Sequence, residues 1–261
     1  KTFINILSLL QDKIRELEGV NRDGVKDINH SRYKNYDEVF KSSQEITKEL
    51  SAYHQEIVTV ILPNSIEYIE VMLACILTGN IFNPIPYFTS DNELERIFNY
   101  VEPKLVITDR QLPKNLKKNK LICNPESMIS DTGNTNLDPK CNSAGSDVAA
   151  LYYSSGTTGS PKGVLYSHDN IFHLIESINK GFGFNSKTKH LSMLPFGHTA
   201  SINYNIFPCL FSRSTLVIAE SFSKIAPNFF KILSEENINY TQVVPTIVYM
   251  LLKINYHLDQ L

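Results

Sequence analysis

The 261-residue chain predicts an α/β fold in which largely parallel sheets are wrapped by helices. Three features predict it: short β-branched runs, apolar segments of helical period between them, and a Gly/Ser/Thr-rich loop that leaves one run and returns as another.

Phe3, Ile6, Leu7, Leu10, Ile14 and Leu17 recur at helical spacing in TFINILSLLQDKIREL, which lacks the basic start and small-residue cleavage site of a signal peptide. Residues 37–50 read as a helix, and 56–62 as a buried strand. Pro63 and Asn64 turn the chain, with Asn64 or Ser65 capping a helix over 66–77 that stops before Gly79. A strand over 81–85 follows, then a helix opened by the Ser90-x-x-Glu93 capping box, then a strand over 105–108. Residues 111–147, rich in Asn, Ser, Lys and Pro, read as irregular surface chain apart from the apolar Leu121-Ile-Cys123. They separate two lobes, 1–142 and 143–261. The second lobe has strands at 148–153, 163–168, 189–194, 216–219 and 240–244. Its helices cover 170–179 (capped by Asp169) and 226–236, and a last one begins at Pro245-Thr246.

A net charge of −2 with no basic face argues against a nucleic-acid binder, and no apolar run is long enough to span a membrane. Cysteines 75, 123, 141 and 209 form no CxxC pair, which suits a reducing, cytoplasmic location.

The strand at 148–153 runs into YYSSGTTGSPKGV. Gly156, Gly159 and Gly163 let a polyanion approach the backbone, whose successive amides form an anion-binding nest. The hydroxyls of Ser154, Ser155, Thr157 and Thr158 orient phosphate oxygens, and Lys162 adds a mobile positive charge. The Walker A rule fails, because Pro161 stands where its second Gly is required and Gly163 follows the lysine. A flexible hairpin without ligand remains the alternative on composition.

In order and spacing, YYSSGTTGSPKGV with YSHDN resembles the phosphate loop of the adenylate-forming superfamily: acyl-CoA synthetases, peptide-synthetase adenylation domains and firefly luciferase. ILPNSIEYIEVMLACILTGNIFNPI, KLVITD, MLPFGHTASINYNIFPCL and TQVVPTIVYMLL are also similar to it, so the resemblance spans most of the chain. It implies the layered α-β-α N-terminal domain of such an enzyme. It also implies ATP-dependent activation of a carboxylic acid as acyl-AMP, with release of pyrophosphate. Thioester formation on coenzyme A or a phosphopantetheine arm follows, GTTG with SPKG leaning toward acyl- or aryl-CoA ligases over amino-acid adenylation domains. Ser154, Ser155, Gly156, Thr157, Thr158, Gly159 and Lys162 are the implied ATP contacts, with Mg2+ at Thr158. Lys162 and His198 are the implied catalytic residues. The implied partners are the carboxylic acid and an acyl or peptidyl carrier protein. Gly197 departs from the bulky residue usual before this histidine. His168 is expected to orient a strand-to-helix turn, and Pro245 and Thr246 to shape a helix start beside the pocket.

The family's magnesium-binding glutamate, its ribose-binding aspartate and its small C-terminal domain with a catalytic lysine find no match here. The expectation is therefore an inactive N-terminal portion, completed in cis or trans. A split half and a non-catalytic binding module are the alternatives. On this reading residues 1–261 alone bind Mg-ATP weakly or not at all, since water and salt screen the loop's contacts. A calorimetric titration returning micromolar affinity contradicts it.

Overall fold

The computed structural model describes residues 7–117, 121–128, 141–154 and 162–253. In chain order the first elements are α1 (Leu9–Arg15), β1 (Gly24–Asp27), β2 (Arg32–Asn35), α2 (Tyr36–Leu50), β3 (Ile57–Ile61), α3 (Ile66–Leu77), β4 (Ile81–Pro84), α4 (Asp91–Val101) and β5 (Leu105–Thr108). Next come β6 (Leu121–Cys123), α5 (Pro125–Met128), β7 (Val148–Ser154), β8 (Lys162–Ser167), α6 (His168–Phe182) and β9 (Lys189–Ser192). The remainder are α7 (Thr199–Ser201), α8 (Phe207–Phe211), β10 (Thr215–Ile218), α9 (Phe222–Ile225), α10 (Phe229–Glu235), β11 (Tyr240–Thr241) and α11 (Pro245–Lys253).

One sheet has the order β6-β5-β3-β4-β7-β8, parallel except for β8; the other has the order β11-β9-β10-β1-β2, parallel except for β2. Both sheets take strands from each side of residue 142.

Alternation along the strands assigns the layers. Val58, Val60 and Phe82 face one apolar cluster together with α3, while Ile61 and Ile85 face another built on Leu94, Ile97 and Phe98 of α4. In the second sheet, Val25, Leu216 and Ile218 face the first cluster, and Leu191 and Val217 face Phe222, Phe229 and Ile247. The expected α-β-α layering thus recurs around each sheet, and the two share a central helical layer. Helix α3 lies in that layer, with Tyr68, Ile69, Met72 and Cys75 all at 0% exposure. That is why its sequence is apolar nearly all round.

Several local expectations shift. The cap of α3 is Ser65, whose Oγ accepts from Tyr68 N, and Asn64 is left for another task. The cap of α6 is Ser167 rather than Asp169, in a capping box with Asn170. Leu121-Ile-Cys123 is the edge strand β6. The short strands β1 and β2 carry no periodicity that sequence reading could use; β1 becomes a strand against β10, and β2 against β1. The helical stretch from Thr199 to Phe211 was hidden by Pro208. It contains an i→i+5 turn at Ile202–Ile206, and widening there relieves the clash of the Pro208 ring with the preceding turn. Among the described residues no helix is long and apolar enough to cross a membrane.

Two fully buried histidines make the fold acid-sensitive. His168 lies 2.7 Å from Ser8 Oγ, joining α6 to α1, and His190 is enclosed by Phe184 and Tyr240, with neither ring nitrogen hydrogen-bonded among the described residues. Burial pushes both imidazoles down to about 4. Their contribution is complete above the ordinary value near 6.5 and is lost as pH falls toward 4. Buried Glu70 acts oppositely. Burial raises it to about 7 despite Lys34 at 2.6 Å, so its contribution is complete below 4.5 and lost as pH rises to 7. The two trends overlap, so a variant isolates one group. His190→Leu is expected to recover on the order of 2 kcal/mol of the stability lost between pH 6.5 and 4, read by denaturant unfolding at both pH values.

Candidate active site

A cleft of about 740 Å3 opens where the carboxyl ends of the two sheets meet. Pro63 and Asn64 come to it from the end of β3, Pro86 to Ser90 from β4, Phe196 and His198 from β9, and Glu220 and Lys224 from β10. The position follows from strand order. In the first sheet the chain leaves β3 toward β4 but leaves β4 back toward β5. In the second it leaves β9 toward β10 but leaves β10 for β11, on the far side of β9. Crevices form at such reversals in open parallel sheets, and here two of them face each other.

Asn64 joins the two edges. It is buried, its Nδ2 donates to Leu194 O and Ala219 O at 3.0 Å each, and its Oδ1 accepts from Phe196 N at 2.7 Å. Phe196 packs edge-on against Tyr68 of α3, with ring centroids 5.1 Å apart. The chain then passes through Gly197, φ +111°, to His198. The Gly197 departure seen in the sequence is therefore a tight seat against the turn after β4. His198 occupies the N-cap position of α7 but makes no capping bond with its side chain, and it lines the cleft. The ring is exposed on one side, and desolvation against the cleft wall lowers its pKa below the usual value, so the imidazole is neutral near pH 7 and can donate from one nitrogen and accept at the other.

The phosphate-loop residues are placed only at their ends. Ser154 closes β7 and Lys162 opens β8, the two being cross-strand partners. Lys162 is exposed. Ser155, Gly156, Thr157, Thr158 and Gly159 lie outside the described residues. β7 pairs with β4, so the loop leaves the same sheet edge that supplies Pro86 to Ser90. Its last residues are anchored internally: Tyr152 is buried and donates through its hydroxyl to Asn203 Oδ1 at 3.0 Å, in the wide turn after His198. His168, expected to orient the β8-to-α6 turn, is the first residue of α6; its backbone N donates to Asp147 O at 3.0 Å and its ring meets Ser8 Oγ. Pro245 and Thr246 begin α11 but do not line the cleft. Sequence reading missed Asn64 as a bridge and Glu93, Glu220 and Lys224 as cleft residues. No local pattern marks them, because the meeting of two sheets brings them together. Among the described residues no group of three His, Cys, Asp or Glu side chains could hold a metal ion.

The sequence model of the AMP-binding enzyme family matches residues 20–260. The chain is 30% identical over 192 residues to the hybrid PKS-NRPS synthetase gkaA of Penicillium citrinum, covering 73% of this chain and 5% of that protein. It is 26% identical over 216 residues to 4-coumarate–CoA ligase 3 of Arabidopsis thaliana, covering 76% of this chain and 38% of that one. Its fold is similar to the N-terminal subdomain of NpsA from Klebsiella oxytoca in complex with 3-hydroxybenzoyl-AMSN. That similarity has a TM-score of 0.81 at 16% identity, over 96% of this chain and 63% of that one. The chain thus spans only part of each of these proteins.

Asn64→Ala would leave Leu194 O, Ala219 O and Phe196 N without their partner. The expected loss is about 3 kcal/mol, measured by denaturant unfolding. An effect below about 1 kcal/mol would show that water replaces the amide without cost.

Proposed function

The chain belongs to the AMP-binding enzyme family, and from that premise we propose that its parent protein activates a carboxylic acid with ATP and passes the acyl group to a thiol. The observation that carries this reading is the SSGTTGSPKG segment, opened by β7 and closed by β8 at the sheet edge that also builds the cleft. A carboxylate oxygen attacks the α-phosphorus of ATP, and the bond to the β-phosphate bridging oxygen breaks. Pyrophosphate leaves with that electron pair. A thiol sulfur then attacks the acyl carbonyl, its proton passes to a base, and AMP departs.

In the first step the charge that grows on pyrophosphate is met by the amides of the loop, by Ser154, Ser155, Thr157 and Thr158, and by Lys162. Donors preorganised for that charge lower the barrier without reorganisation. Gly156 and Gly159 give the phosphates access to the backbone. Thr158 would hold the magnesium carried by the triphosphate, which would supply charge neutralisation there. Neutral His198 is assigned to the reacting carboxyl group, where one nitrogen can donate to an acyl oxygen. The acceptor thiol is coenzyme A or a phosphopantetheine arm on a carrier protein, a reading supported by similarity both to a CoA ligase and to a D-alanyl carrier protein ligase.

In the full-length protein, carboxylate-dependent exchange between pyrophosphate and ATP is expected across a panel of fatty, aryl and amino acids. Lys162→Ala should slow it on the order of 10²-fold, the usual effect of removing one charge-stabilising donor. No exchange with any acid, or ADP rather than AMP as product, would reject the reading.

A further inference from the structure

Gly197 has an unusual seat. A methyl group built on it would stand 2.6 Å from Pro86 N, 2.8 Å from Ile85 C and 2.9 Å from Pro86 Cα. All three atoms are main chain in the turn leaving β4, so no side-chain rotation can make room. Its φ of +111° independently disfavours any residue with a side chain.

The neighbours on either side are held. Phe196 is fixed by Asn64 and by Tyr68. Beyond His198, Ser201 Oγ donates back to Pro195 O at 2.8 Å, and Ile202, Asn203 and Ile206 are buried. The chain between these anchors is short. How closely Gly197 approaches Pro86 therefore decides where the His198 ring enters the cleft. Gly181, in α6, offers a contrast: a methyl group there meets nothing within 4 Å.

We propose that Gly197 is a positioning residue for His198, its bare backbone lying against the Ile85–Pro86 peptide so that the imidazole faces the cleft. This rests on the reading that His198 serves the acyl-activating reaction. Any side chain at position 197 would lift the loop from Pro86 and shift the His198 ring from its place in the cleft wall.

The test uses the full-length protein with histidine isotopically labelled, comparing Gly197→Ala with Gly181→Ala. NMR titration of the His198 ring is expected to give a pKa below the usual value in the parent protein and in Gly181→Ala. In Gly197→Ala it should rise toward about 6.5. The other ionisable groups lining the cleft, Tyr87, Glu93, Glu220 and Lys224, are the same in all three, so the comparison reports the ring's placement. Alongside, pyrophosphate exchange in Gly197→Ala should fall by about 10²-fold at saturating ATP with little change in the KM for ATP, as a displacement near 1 Å would cause. If Gly197→Ala does not fold, Pro86→Gly keeps those three main-chain atoms but frees the φ of the turn that presses them against Gly197, and it carries the same titration. A His198 pKa that stays at the parent value, or falls, in the folded variant overturns the proposal. A raised pKa in a protein that shows no exchange in any form supports the placement while removing the functional reading.

Discussion

One carboxamide holds the architecture together at the end that matters. The two sheets lie on opposite sides of a shared helical layer, and apolar burial alone would let their strand ends slide past one another. Asn64 prevents this by addressing three main-chain groups of the other sheet's connections at once: two carbonyls and one amide. A neutral amide suits the position. It donates and accepts without bringing a charge into a buried site, where an ionised side chain would need a partner of its own.

The same device recurs wherever the layers meet. Gln11 of α1 donates to Ile76 O and to Ser143 Oγ and accepts from Ser143 N. Asn80 donates to Leu50 O and Tyr53 O after α2, and Asn83 links β4 to β7 through Leu151 O. These bonds are directional, so they fix register where packing fixes only proximity.

What could be read from the sequence depended on the range of the forces involved. Helices α2, α3, α4 and α6 were legible because their apolar period and caps are local, although Asn64 and Asp169 were each mistaken for, or offered as, a cap that a neighbouring serine supplies. Strands β3 and β5 were legible as β-branched runs and β7 as a buried apolar one. The hairpin β1–β2 was not, because Gly24-Val-Lys-Asp becomes a strand only against Leu216 to Ile218. At the cleft, His198 could be named from motif order. Glu93, Glu220 and Lys224 could not, for they gather only when two sheets are set edge to edge. Gly197 was visible as a departure, but its meaning depended on the position of Pro86, which no residue near it in sequence specifies.

The interleaving of the sheets bears on how the chain comes off the ribosome. β1 finds its parallel neighbour only when β10 emerges, and β4 pairs with β7 only after the long connection from β6 has passed. Folding rates fall as contacts become more distant in sequence, because loop closure must precede any gain from pairing. The first half of the chain must therefore wait, with β1 and β2 unsheltered and the apolar face of α3 uncovered, for the second half to arrive. A nascent chain that has not yet reached Thr215 exposes just those surfaces, so chaperones have the longest opportunity to act on the β1–α3 region.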